Sequence, residues 1–253
     1  MDIDALFAQT LRGDYDADLP WEAVRSLSKI GSREVFNRAA AWCGSQNPLE
    51  RARGADVLAQ LGKTSEHPET AYAAESFPVV STLALSESDA RPLGSAIHAL
   101  GHIANPLAIP LLTMHQNHPD PDVRFAVACA LGNFPDNPVA ATVLIELTRD
   151  VDDDVRNWAM FAIGTLSRLD SPELRDALLA GLSDPYEDVR EEAIAGLARV
   201  KDKRVLPPLL SALEDPHVGE NIVDAARHML GIGDNATGWV AEDYAKTLRE
   251  RFA

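Results

Sequence analysis

The sequence predicts an all-α, right-handed solenoid of about seven stacked helix pairs closed by a single C-terminal helix. Three observations predict it. The phrase Asp-Val-Arg recurs at 122–124, 154–156 and 188–190, and each copy opens a segment ending in Leu131-Gly132, Ile163-Gly164 or Leu197-Ala198. Fainter copies end at Ile30-Gly31, Leu61-Gly62, Leu100-Gly101 and Leu230-Gly231, so successive ends lie 31, 39, 31, 32, 34 and 33 residues apart. A period of this size belongs to helix pairs that bury their apolar faces on their neighbours. Finally, 46% of the 253 residues are apolar but only 6% are aromatic, and Ala and Leu fill the periodic segments, as helix packing requires.

Each unit holds a Leu-rich first helix, a turn with Asp and Pro, and a second helix carrying Val-Arg-x-x-Ala. First helices are expected near 2–12, 32–43, 76–86, 105–117, 137–149, 172–182 and 203–214. Second helices are expected near 20–30, 48–61, 90–103, 121–133, 153–166, 187–200 and 220–230. The turns make chemical sense: Asp caps free N–H groups and faces the positive end of the helix dipole, and Pro fits a first turn. The closing Gly suits a left-handed residue at a helix end. The long step between Gly62 and Gly101 places an insertion at 63–75, either a longer loop or an added turn on Ala71–Ala74. Residues 234–251 read as an amphipathic cap, with Trp239, Val240, Tyr244 and Leu248 on one face and Glu242, Lys246, Arg249 and Glu250 on the other. One continuous array over 1–253 is expected, divergent over 1–104 and clear over 105–231.

The formal charge of −16 argues against binding to DNA, RNA or an anionic membrane, because phosphate binding needs Lys and Arg. It suits a basic protein partner, or simply keeps an elongated bacterial-type protein soluble. Residues 120–192 hold sixteen carboxylates against six Arg, which concentrates the acidity on one edge of the array. The two cysteines, Cys43 and Cys129, lie far apart in the array, so free thiols are expected. The N-terminus has no basic, then apolar, targeting pattern, and no apolar run reaches 18 residues. A cytoplasmic protein is expected.

The Asp-Pro turn, the Asp-Val-Arg phrase and the Ala-Leu-Gly helix end together resemble the HEAT family, especially its short PBS-lyase HEAT-like repeats. The resemblance implies that the second helices line a concave inner side and the Leu-rich helices the outside. It also implies a structural ladder between repeats made by Arg124, Arg156 and Arg190 with turn acids such as Asp122, Asp154 and Asp188. The family is mostly a scaffold for protein partners.

Numbering each second helix from its Arg, positions −1, +3 and +7 cluster on the core side, and +1 and +5 point the other way. The +1 residues are then Val24, Ala55, Gly94, Phe125, Asn157, Glu191 and Asp224, and the +5 residues Ser28, Ala59, His98, Cys129, Phe161, Ala195 and His228. A partner-binding face follows: Phe125, Asn157, Phe161 and Glu191 at its centre, flanked by Trp158, Glu192, His98, Asp224 and His228. Aromatics beside acids suit a protein-binding hot spot, unless the curvature buries the rings between repeats. His98, His102 and Cys129 come near one another but lack a fourth ligand, so no metal is expected. No cofactor is expected either.

A non-catalytic protein-binding scaffold is therefore the primary expectation. The first alternative is an acidic inhibitor or immunity protein for a basic toxin or nuclease. The second is a bilin-lyase-type enzyme subunit, since phycobilin lyase subunits share this repeat. Other enzyme classes fit less well. No His-Glu dipeptide exists to bind iron as in the lysine-hydroxylating relatives, the face is too acidic for a DNA glycosylase, and no phosphate loop, nucleophile elbow or zinc-protease motif occurs.

Overall fold

The computed structural model describes residues 2–64, 66–67, 69–232 and 238–252. Among them are fifteen α-helices and no strand. The helices gather into two compact units, residues 1–134 and 135–253. Unit 1 contains α1 (Ile3–Thr10), α2 (Asp18–Ile30), α3 (Arg33–Trp42), α4 (Pro48–Ala59), α5 (Ala73–Ser86), α6 (Ala90–Ile103), α7 (Ile109–Thr113) and α8 (Pro121–Leu131). Unit 2 contains α9 (Pro138–Leu147), α10 (Asp153–Phe161), α11 (Pro172–Gly181), α12 (Glu187–Arg199), α13 (Leu206–Ala212), α14 (Glu220–Leu230) and α15 (Ala241–Phe252). Every expected helix pair is present. In each unit the second helices pack on one another, α4 on α6 on α8 and α10 on α12 on α14.

The turn chemistry explains where the second helices begin. Asn47, Asp120 and Asp152 sit in extended backbone, and their side chains accept hydrogen bonds from Leu49, Asp122 and Val155 N–H. Such caps contribute about 1 kcal/mol each. No side chain caps α12; Asp184, two residues before its N-cap Tyr186, instead accepts from the Tyr186 N–H at 2.9 Å and so fixes the turn that leads into the helix. Behind the caps, Val123, Val155 and Val189 at −1 and Val127, Ala159 and Ala193 at +3 are fully buried, so the core lies where those positions place it.

The repeat arginine works in a way the sequence does not announce. Its Nη1 folds back onto the two carbonyls five and six residues earlier. Arg124 donates to His118 and Pro119, Arg156 to Asp150 and Val151, and Arg190 to Asp184 and Pro185, at 2.8–3.3 Å. Arg51 does the same to Ser45 and Gln46. The free edge of the guanidinium then reaches the following repeat: Arg156 holds Asp184 at 2.8 and 3.1 Å, and Arg51 holds Glu87 at 2.6 and 3.1 Å. The acid that pairs with Arg156 is thus Asp184, which precedes the next helix. Asp122, Asp154 and Asp188 lie exposed in the first turns of their own helices.

Burial alone would raise the Asp184 pKa, but Arg156 and the Tyr186 N–H outweigh it and hold the carboxyl below the usual carboxylate value. A depressed folded pKa gives stability that is present above the unfolded value, about 3.9, and lost as pH falls through the folded value. Thermal melts from pH 7 to pH 2 are therefore expected to fall less steeply for Asp184→Asn than for wild type. A double-mutant cycle with Arg156→Met is expected to return a coupling of about 0.5–3 kcal/mol at pH 7. Parallel pH profiles would remove the pair from the stability of unit 2.

Glycine closes two helices as expected, Gly31 and Gly231 at φ 57° and 66°; Gly62, at φ 73°, stands three residues beyond the end of α4 and donates its N–H to the Ser28 carbonyl at 2.7 Å. Gly101 and Gly164 are different. Both lie inside a helical turn, and Ala104, at φ 55°, takes the left-handed position after α6. A Cβ on Gly101 would stand 2.5 Å from the Ala130 Cα, so this glycine permits close approach of α6 and α8. Gly164 and Gly196 meet in the same way between α10 and α12.

Three element boundaries differ from the sequence expectation. α5 begins at Ala73 after Tyr72 at φ 59°, so part of the insertion is an added helical turn; Ser65 and Pro68 within it lie outside the described residues. That turn is tied to α3, with Arg33 4.1 Å over the Tyr72 ring and bonded to Glu75 at 2.6 and 2.8 Å. α10 ends in a π-helical turn at Ala162–Leu166, where Arg199 donates to the Gly164 and Ile163 carbonyls at 2.6 and 3.3 Å. The cap α15 buries Tyr244, Ala245 and Leu248, but Trp239 and Val240 precede the helix and are exposed. Residues 234–237 of the expected cap lie outside the described residues.

Candidate functional site

Each unit carries a cavity on the face of its second helices. In unit 1 the cavity is about 550 Å³. Its floor and walls include Asp56 of α4, Ser95, His98 and His102 of α6, and Phe125 of α8, with Tyr15 and Trp21 at one end and Asp16, Asp120 and Asp122 among its charges. The His98 and Phe125 rings meet edge to face with centroids 6.3 Å apart. Burial, then the neighbouring His102, lowers the His98 pKa to about 4, so its imidazole is neutral at physiological pH.

This cavity rests on a buried polar cluster. The Arg53 side chain is fully buried; it donates to the Thr10 carbonyl at 3.0 Å, the Tyr15 carbonyl at 2.7 Å and Asp56 Oδ2 at 3.2 Å. Its guanidinium lies 3.7 Å from the Tyr15 ring centroid, and Arg91 covers the same ring at 4.3 Å. The Tyr15 hydroxyl donates to Asp56 Oδ2 at 2.5 Å and lies 2.9 Å from Ser95 Oγ. Burial, reinforced by the Asp56 charge, pushes the Tyr15 pKa far up, which keeps the phenol a donor. Burial also raises the Asp56 carboxyl, against the opposing pull of Tyr15 and Arg53.

In unit 2 a cavity of about 280 Å³ is lined by Phe161, Gly164, Thr165, Glu192, Ala195, Arg199, Asn221, Asp224, Ala225 and His228. The Trp158 and Phe161 rings meet in a tilted contact with centroids 5.5 Å apart and an interplanar angle of 59°. Glu191 accepts from Asn221 Nδ2 at 2.6 Å, and Asp224 pairs with Arg227 at 2.6 Å. Asn157 Oδ1 is buried and accepts no hydrogen bond from the described residues.

The predicted residues therefore fall into two groups. His98 and Phe125 line one cavity; Phe161, Glu192, Asp224 and His228 line the other, beside Trp158. The rings of Phe125, Trp158 and Phe161 are half-buried, which leaves part of each open to the face. The register of the N-terminal helices needs correction. Val24, Ser28 and Ala55, expected on this face, are buried away from the cavity, whereas Ala59, also buried, lines it. In α4 the repeat arginine is Arg51, not the position three residues later, so +5 falls on Asp56. The signal was available: Pro48 to Arg51 repeats the spacing of Pro121 to Arg124. Tyr15 lies in the α1–α2 connection, where no periodicity marks it.

Cys43 and Cys129 are free thiols. Burial pushes Cys43 up to about 12 and Cys129 higher still, so neither carries an activated thiolate. Among the described residues no three His, Cys, Asp or Glu side chains come together to hold a metal ion. Nor is any described helix long and apolar enough to cross a membrane.

Comparison with known proteins agrees with this architecture. Residues 77–164, 159–231 and 175–251 match the family of HEAT repeats, and the chain belongs to that family. Protein YibA of Escherichia coli strain K12 is 30% identical over 210 residues, covering 81% of this chain and 72% of YibA. The X-ray structure of Escherichia coli YibA aligns with a TM-score of 0.74 at 26% identity, over 99% of this chain and 92% of that one. A designed armadillo repeat protein shares the fold, with a TM-score of 0.52 at 17% identity over 78% of this chain and 98% of that one.

Proposed function

We propose that this chain is a non-catalytic scaffold that holds a partner protein on the faces of its second helices. The observation that carries the reading is the half-buried, partly open state of Phe125, Trp158 and Phe161, each beside a cavity that bears carboxylates. Such rings with a polar rim are the usual anchors of protein interfaces. Burial raises both thiols, so neither offers an activated nucleophile. The net charge of −16 favours a partner of opposite charge and a fast, salt-sensitive encounter.

The test is affinity capture from the native host's lysate, with mass spectrometry, at low and high salt. Wild type is compared with a Phe125→Ala/Phe161→Ala variant whose helicity is checked by circular dichroism. One stoichiometric partner is expected, reduced at least tenfold in the folded variant, in line with about 1.4 kcal/mol or more for two anchors. A partner retained in full by the variant would move the interface elsewhere, and the absence of any partner at either salt would end the scaffold reading.

A further inference from the structure

Three times in unit 1 this chain holds a guanidinium between an aromatic ring and a carboxylate. Arg33 lies 4.1 Å over Tyr72 and binds Glu75. Arg53 lies 3.7 Å over Tyr15 and binds Asp56. Arg91 lies 4.3 Å over Tyr15 and reaches Asp16 at 3.6 Å. The arrangement suits arginine because its plane stacks on a ring while its fork of N–H donors meets a carboxylate.

In the unit 2 cavity a ring and a carboxylate are present, but no described guanidinium joins them. Phe161 and Glu192 both line it, and Glu192 is half-buried. Its one hydrogen bond comes from the Thr165 hydroxyl at 3.3 Å, and no described cation forms an ion pair with it. Of the acids nearest to it, Glu191 is engaged by Asn221, and Asp224, which lines the same cavity, by Arg227. Arg199 lines the same cavity, but its donors are directed to the carbonyls of the π turn. His228 is the remaining basic side chain on the cavity wall, and it is exposed. A desolvated carboxylate with no cation is a cost to the fold that a structural role does not explain.

We propose that this cavity receives an arginine side chain of the partner protein, its guanidinium stacked on Phe161 and paired with Glu192. The proposal rests on the scaffold reading and supplies the chemistry of one contact. Burial, together with the charges of Glu191 and Asp188, raises the Glu192 pKa, as expected of a carboxylate that awaits a counter-ion.

The test separates a binding role from a structural one. Glu192→Gln keeps the shape and removes the charge. If Glu192 serves a partner, the isolated variant melts about 2 °C or more above wild type, because a desolvation cost has gone. In the same variant, affinity for a capped tri-arginine peptide, followed by NMR titration of the labelled protein, falls at least tenfold. Phe161→Leu, which keeps apolar bulk but not the ring, is expected to weaken the peptide several-fold. A capped tri-lysine peptide is expected to bind wild type several-fold more weakly than tri-arginine. A melting point lowered by Glu192→Gln, equal peptide affinity in variant and wild type, or no peptide binding to wild type would each overturn the proposal. Should Glu192→Gln still capture the natural partner that Phe125→Ala/Phe161→Ala loses, the arginine pocket falls and the scaffold reading stands.

Discussion

Arg53→Met is expected to destabilise unit 1 by about 3–5 kcal/mol. Three features set the size of this effect. The guanidinium is fully buried, so the chain has already removed it from water. It donates to two backbone carbonyls and one carboxylate, which ties α4 to the end of α1 and to the α1–α2 connection. Its loss leaves Asp56 buried beside Tyr15 and Ser95 with no cation, and an uncompensated buried charge is what makes breaking such a pair costly. The methionine restores much of the volume, so the loss reports charge and hydrogen bonds more than a cavity. Urea titration followed by tryptophan fluorescence measures it, since Trp21 lies 5.0 Å from the Arg53 guanidinium. Adding Asp56→Asn to Arg53→Met is expected to recover part of the loss, because the orphaned charge has gone. A loss below about 1 kcal/mol would mean that Asp56 carries no charge in the folded protein.

The fold was legible because the repeat states its own boundaries. The Asp-Val-Arg phrases mark where helices begin, and turn chemistry with a fixed period gives the same answer from two directions. All seven helix pairs follow from that, and so does the cap, although its first two apolar residues, Trp239 and Val240, stop short of the helix. What the repeat could not give was any departure from it. Gly101 occupies the slot of a helix-ending glycine, yet the helix runs on for half a turn, and only the distance to Ala130 reveals why a glycine stands there. The ladder acid is Asp184 rather than Asp188 because the free edge of the Arg156 guanidinium meets the turn ahead of the next helix, a side-chain direction that a one-letter pattern does not carry. The unit 1 cavity was half legible. His98 and Phe125 sit at periodic positions, whereas Tyr15 lies in a connection, and Asp56 was hidden by a register error of three residues in α4. Long-range partnerships such as Tyr15 with Ser95, eighty residues apart, leave no mark in a local window.

Gly101→Ala sets two physical effects of opposite sign against each other. In a helix interior, alanine is favoured over glycine by about 1 kcal/mol, so propensity alone predicts a stabilised protein. The new Cβ would stand 2.5 Å from the Ala130 Cα and 2.8 Å from its Cβ. The first of these is a backbone atom and cannot rotate away, so α6 and α8 must separate along their length. Overpacking of this kind costs about 1–3 kcal/mol, and at such a distance it exceeds the propensity gain. The expected result is a net loss of stability of about 1–3 kcal/mol in urea titration, with helix content unchanged. Gly94→Ala, in the same helix with open space around its Cβ, is the control and is expected to stabilise the protein by up to about 1 kcal/mol. The two substitutions share propensity and differ only in their neighbours. A stabilised Gly101→Ala would show that α6 and α8 can slide without penalty. Because α6 and α8 also carry His98 and Phe125, their separation would also move two walls of the unit 1 cavity apart.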